Sequence, residues 1–150
     1  MISVLVIAHE PLATALIHCT RHIYGRLPSQ VAALDVIPDE DPDLALRSAR
    51  DLACRINDGS GLIVLTDLFG ATPARIAVQL AEPRRVVVFY GVNLPMLLKL
   101  LNYRRNVSLE DLADKLQAAA GDSIGLVTPA MARLGGALAG RPDSDTTGQP

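Results

Sequence analysis

The chain has no tryptophan, three tyrosines, two phenylalanines and two cysteines in 150 residues. Aromatics are sparse, and 14 Lys+Arg stand against 16 Asp+Glu for a net charge of -2. There is no basic stripe with interleaved aromatic side chains, which argues against nucleic acid as a partner. Cys19 and Cys54 fall within helical segments without close pairing. Neither a disulfide framework nor a zinc cluster is indicated, and both are expected as buried or half-buried thiols. Long apolar runs are also missing. The longest, such as Ile2 to Ala8 and Val86 to Tyr90, fall far short of the roughly 20 residues that a membrane-spanning helix needs. No basic segment precedes the first run, as a secretory signal would require. No membrane insertion is expected, and the cytoplasm is the expected compartment.

What is present suits one compact domain, since 49% of residues are hydrophobic and 20% charged. Short β-branched runs at Ser3 to Ile7, Val31 to Val36, Leu62 to Thr66 and Val86 to Tyr90 read as strands. Their unbroken apolar character suits strands covered on both faces. Helical spacing lies between them, so the expected fold is α/β, a doubly wound, mainly parallel sheet of four to five strands with helices on both faces. Pro11, Pro42, Pro73 and Pro95 mark first helical turns, with Asp41 and Thr72 as N-caps. Ser108-Leu109-Glu110-Asp111 opens a helix expected to run to about Ala120, with Leu109, Leu112, Ala113 and Leu116 facing the core. Ile124 to Val127 is a candidate fifth strand. The domain is expected over residues 1–128, followed by a C-terminal tail over 129–150 that is disordered from about Arg141.

In such sheets ligands gather at the carboxyl ends of the strands. The first strand ends in Ile7-Ala8-His9-Glu10 and the third in Thr66-Asp67-Leu68-Phe69-Gly70, so His9 and Asp67 share one edge if those strands are neighbours. A carboxylate accepting from one imidazole nitrogen fixes the tautomer and leaves the other nitrogen free to attack. Gly70-Ala71-Thr72-Pro73 follows and opens a helix, where free N–H groups and the Thr72 hydroxyl can hold an anion. A further loop, Gly91-Val92-Asn93-Leu94-Pro95-Met96-Leu97, leaves the fourth strand at the same edge. Asn93 there offers amide donors or a cap, and the apolar residues offer either core or a partner surface.

His9, the segment Thr66-Asp67-Leu68-Phe69-Gly70-Ala71-Thr72-Pro73 and the segment Gly91 to Leu97 together resemble the mannose-type enzyme IIA family of the sugar phosphotransferase system. The resemblance covers roughly residues 1–127. It implies a phosphoryl carrier in which His9 is the acceptor and Asp67 orients it. Gly70, Ala71 and Thr72 would bind the phosphoryl group, and Phe69, Asn93, Pro95 and Met96 belong to the partner-facing loops. It further implies a histidine phosphocarrier protein as donor, an enzyme IIB component as recipient and a homodimer, with no cofactor and no metal. The family's usual Gly-Gly-Ser-Pro stands here as Gly70-Ala71-Thr72-Pro73, and Glu10-Pro11 replaces the glycine common after the histidine.

The residues also allow two other readings. A response-regulator-like receiver would be phosphorylated on Asp67 itself, but it wants an acidic pair after the first strand and a lysine after the fifth, where this chain has Ala8-His9-Glu10 and Ile124-Gly125-Leu126-Val127-Thr128. A non-catalytic anion-binding module would leave the pairing of His9 with Asp67 unexplained. His18 and His22 have the i, i+4 spacing of a metal clamp but no evident third ligand. The Asp39-Glu40-Asp41 run reads as a solvated loop and helix start.

Overall fold

The computed structural model describes residues 1–138. The four apolar runs become β1 (Ser3–His9), β2 (Val31–Val36), β3 (Leu62–Thr66) and β4 (Val86–Phe89). All three ladders are parallel, in the order β2-β1-β3-β4. The central strands are the unbroken apolar runs. Val4 to Ala8 of β1 and Leu62 to Leu65 of β3 are buried throughout, as strands covered on both faces must be. The edge strands β2 and β4 are mostly half-buried.

Side-chain alternation along the strands divides the core in two. Val4, Val6, Ala8, Ile63 and Leu65 pack with α1 (Leu12–Tyr24), α4 (Leu94–Tyr103) and α5 (Leu109–Ala118). Leu5, Ile7, Leu62 and Val64 pack with α2 (Pro42–Ile56) and α3 (Thr72–Val78) on the other face. From β1 the chain moves outward to β2, then crosses back to β3 on the far side of β1. The strand order therefore reverses between β1 and β3, which is where a doubly wound sheet opens a crevice at its carboxyl edge.

The caps are largely those expected. Asp41 accepts from the Asp43 N–H at 2.9 Å, Asn93 from the Met96 N–H at 2.9 Å and Ser108 from the Asp111 N–H at 3.0 Å. Thr72 is a correction. It is the first helical residue of α3, the cap position belongs to Ala71, and no side chain caps that helix. Pro11 occupies the cap position of α1 rather than its first turn.

Four further expectations change. Ile124 to Val127 is no strand: it pairs with no neighbour, so nothing takes up its backbone N–H and C=O groups as a ladder would. The helix from Ser108 stops at Ala118, and Ala120–Ser123 tightens into a 3₁₀ turn. Residues Pro129–Leu138 form a further helix, α6, where only a tail was expected. Cys19 and Cys54 are both exposed, because they fall on the outward faces of α1 and α2 while Ala13, Leu16 and Ile17, and Ala45 and Ala49, take the core positions. The segment from Arg141, for which disorder was expected, lies outside the described residues. Among the described residues, no helix is long and apolar enough to cross a membrane.

Candidate active site

Ile7 of β1 lies level with Thr66 of β3, so the residues just beyond them, His9 and Asp67, meet at the carboxyl edge. The His9 Nδ1 stands 2.7 Å from Asp67 Oδ2. The same oxygen accepts from the His9 backbone N–H at 3.0 Å, while Oδ1 accepts from the Leu68 N–H at 2.8 Å. The backbone around Asp67 is itself fastened: its carbonyl accepts from the Gly91 N–H at 2.7 Å and that of Thr66 from the Val92 N–H at 3.0 Å. Both loops leaving β3 and β4 thus hold the carboxylate in place. A carboxylate only accepts, so Nδ1 carries the proton and the lone pair remains on Nε2. The His9 side chain is 52% exposed and that of Asp67 14%, so the imidazole is open to solvent while the carboxylate is largely covered.

Burial pushes the Asp67 carboxyl up, but the hydrogen bonds from the His9 N–H, the His9 ring and the Leu68 N–H outweigh it. The net effect holds the group below the usual carboxylate range. A carboxyl whose folded pKa is lowered stabilises the fold above its unfolded value, about 3.9. That contribution disappears as pH falls through the folded value. Asp67→Asn is therefore expected to lower stability at pH 7 and to cost progressively less as pH falls through the folded value of the carboxyl. Urea unfolding at pH 7 and at successively lower pH checks this, and a loss that does not shrink would remove the charge from the account.

His9 opens onto a cleft of about 500 Å³ whose lining includes Glu10, Ile37, Asp39, Glu40 and Thr72. Thr72 is the member of the expected phosphoryl-binding trio that faces this cleft. Gly70 and Ala71 form the turn leading to it. Gly70 has φ +84°, a left-handed conformation that glycine adopts without a Cβ penalty. Ala71 has φ -83°, where the methyl that replaces the family's glycine hydrogen is unstrained.

The two segments expected to face a partner are divided by burial. Phe69 is 71% exposed and its ring lies 5.1 Å from that of Tyr90, itself 64% exposed. Leu68 is exposed beside them, and Pro95 is exposed in the first turn of α4. Met96 corrects the expectation: it is buried in the core with Leu97, because the third residue of α4 points onto the sheet. The Asn93 amide is committed to structure, with its oxygen capping α4 and its nitrogen donating to the Gly91 carbonyl and to Ser123 Oγ, both at 3.3 Å. His18 and His22 are exposed on α1. Among the described residues they join no group of three or more His, Cys, Asp or Glu that could hold a metal ion.

Sequence reasoning missed three features of this edge. Tyr90 was readable, since it directly follows β4 at the carboxyl side. The Thr66 hydroxyl is buried without a hydrogen-bond partner, and a threonine closing a strand gives no sign of that. Arg75, on α3, reaches back to Thr72 Oγ1 at 3.5 Å, as long helical side chains lean toward the N-terminus.

Known proteins resemble the chain in sequence and in fold. The family model EIIA-man, described as "PTS system fructose IIA component", matches residues 3–117. The chain is 30% identical over 119 residues to the fructose-specific EIIA component of the phosphotransferase system of Bacillus subtilis strain 168, covering 79% of this chain and 81% of that one. It is 27% identical over 122 residues to the sorbose-specific EIIA component of Klebsiella pneumoniae, covering 80% and 87%. Among solved structures, a phosphotransferase system EIIA component from Streptococcus agalactiae superposes with a TM-score of 0.75 at 23% identity, over 84% of this chain and 97% of that one. A mannose/sorbose-specific IIA subunit from Enterococcus faecalis gives 0.71 at 18% identity, over 84% and 94%. At those identities the two structures speak for the fold alone.

Proposed function

Since the chain belongs to the EIIA-man family of sugar phosphotransferase system components, we propose that His9 accepts a phosphoryl group from a histidine phosphocarrier protein and passes it to an enzyme IIB partner. The observation that carries this is the 2.7 Å contact between His9 Nδ1 and Asp67. As the donor's N–P bond breaks, Nε2 forms the new one, and the ring gains positive charge that the carboxylate beside Nδ1 offsets. The return step reverses the same bookkeeping on the recipient. Thr72, with the Gly70-Ala71 turn behind it, is placed to donate to the phosphoryl oxygens. The exposed Phe69 and Pro95 give an incoming protein apolar surface beside the histidine. A regulatory use of the same phosphorylated state fits the site equally. The receiver alternative is less well supported, because both Asp67 oxygens already accept hydrogen bonds and the side chain is 14% exposed.

The test is incubation with a charged phosphocarrier relay followed by mapping of the label, with His9 as the expected site. A protein that stays unlabelled in a relay that labels another enzyme IIA overturns the assignment.

The same reading includes a homodimer. Ile124, Leu126 and Val127 are 82%, 83% and 71% exposed, an apolar strip following the core with no cover in the described chain. Such a strip is costly to leave in water and marks a contact surface. Replacing Leu126 and Val127 with Asp is expected to convert the dimer to monomer in sedimentation velocity at micromolar concentration. Unchanged sedimentation would place the contact elsewhere.

A further inference from the structure

The cleft beside His9 poses an electrostatic problem. Glu10, Asp39 and Glu40 line it and Asp67 stands behind the ring, yet a phosphoryl group carries a charge near -2 at neutral pH. The lining contains no Lys or Arg. Four carboxylates around a dianion would disfavour the charged state unless a cation joins it.

Arg75 is a cation hydrogen-bonded to that lining. It lies on the exposed face of α3, and its Nη2 contacts Thr72 Oγ1 at 3.5 Å. The contact is long for a hydrogen bond and engages one of five guanidinium donors, so little has to be given up for the group to turn toward the cleft. A planar fork of donors suits two phosphoryl oxygens better than a point charge does.

We propose that Arg75 binds the phosphoryl group carried by His9, using Thr72 as its resting partner and offsetting the acidic lining. This rests on the reading of His9 as acceptor and adds the residue that holds the charge once it has arrived.

The experiment separates the two claims. His18→Gln and His22→Gln leave His9 as the one histidine of three, and phosphoramidate, a small phosphoryl donor, charges it without any protein partner. Phosphorus NMR then follows the second ionisation of the bound phosphoryl group, near pH 6. Arg75→Gln is expected to raise that midpoint by about 0.5, a shift that one screened charge at hydrogen-bond distance produces. It should also slow acceptance from the charged carrier about tenfold or more, with Arg75→Lys intermediate in both. An unchanged midpoint in Arg75→Gln overturns the role of Arg75, whatever the relay shows. Failure of the carrier to label His9 overturns the relay assignment, while the chemically charged protein still decides the role of Arg75.

Discussion

His9→Ala is expected to abolish phosphoryl acceptance. The loss should be complete rather than graded, because the reaction needs a neutral nitrogen nucleophile at the strand edge and the substitution leaves none there. The other histidines, His18 and His22, are exposed on α1, away from the strand edge where His9 meets Asp67. The fold should be little affected. The bond from the residue 9 backbone N–H to Asp67 Oδ2, 3.0 Å long, does not depend on the side chain, and what is lost is the half-exposed ring's own bond to Asp67, worth about 1 kcal/mol. A cooperative melting curve at a slightly lower temperature, alongside zero label, is the expected pair of results. Stoichiometric labelling of His9→Ala would move the acceptor elsewhere. The linkage then identifies where. A phosphoramidate on imidazole is lost in acid, where protonation improves the leaving group, and persists in alkali. An acyl phosphate on Asp67 would be attacked by hydroxide at its carbonyl and lost in alkali as well.

The parts of this site that sequence could supply were those set by strand ends. An apolar run that stops at a histidine, and another that stops at an aspartate, place both residues at one edge as soon as the runs are parallel neighbours. The 2.7 Å contact follows from register. Asp41, Asn93 and Ser108 were legible for a similar reason, since a capping side chain acts on backbone two or three residues ahead. Features that depend on distant chain were not. Ile124 to Val127 has strand composition, but a strand needs a ladder partner, and composition does not say whether one is within reach. Met96 and Pro95 are adjacent in sequence and opposite in burial, which the direction of α4 on the sheet decides. Cys19 and Cys54 face outward for the same reason. Arg75 carries no sequence signal of its own, because its bond to Thr72 is a matter of where the side chain leans.

Arg104 is the residue that sequence would least have placed inside, and Arg104→Ala is expected to cost the most stability of any single change considered. Its side chain is fully buried, directly after α4. Nη2 donates to the Ser29 carbonyl at 2.7 Å and Nη1 to the Ile2 carbonyl at 3.4 Å, while Nε has no partner. Burial, aided by the nearby Arg105, brings its pKa down to about 10, with the Tyr24 hydroxyl acting the other way. A cation whose folded pKa is depressed is held in the fold at a cost below that value, and the cost is relieved only as pH rises above it. What offsets the cost is the tie itself: the guanidinium joins the start of β1 to the loop before β2. Truncation to Ala removes both charged donors, each worth roughly 1.5–3 kcal/mol, and leaves a void beneath β1. A loss of about 3–5 kcal/mol is expected, a large part of the ~5–15 kcal/mol that holds a domain folded. Arg104→Met separates the two contributions. It fills the space and deletes the unpaired Nε and the buried charge together, so it should cost less than Ala, about 1–2 kcal/mol. Urea unfolding at pH 7 gives both values. If Ala and Met cost the same, the void contributes little and the donors carry the whole effect. If Ala costs under about 1 kcal/mol, the tie between β1 and the Ser29 loop does not stabilise the fold.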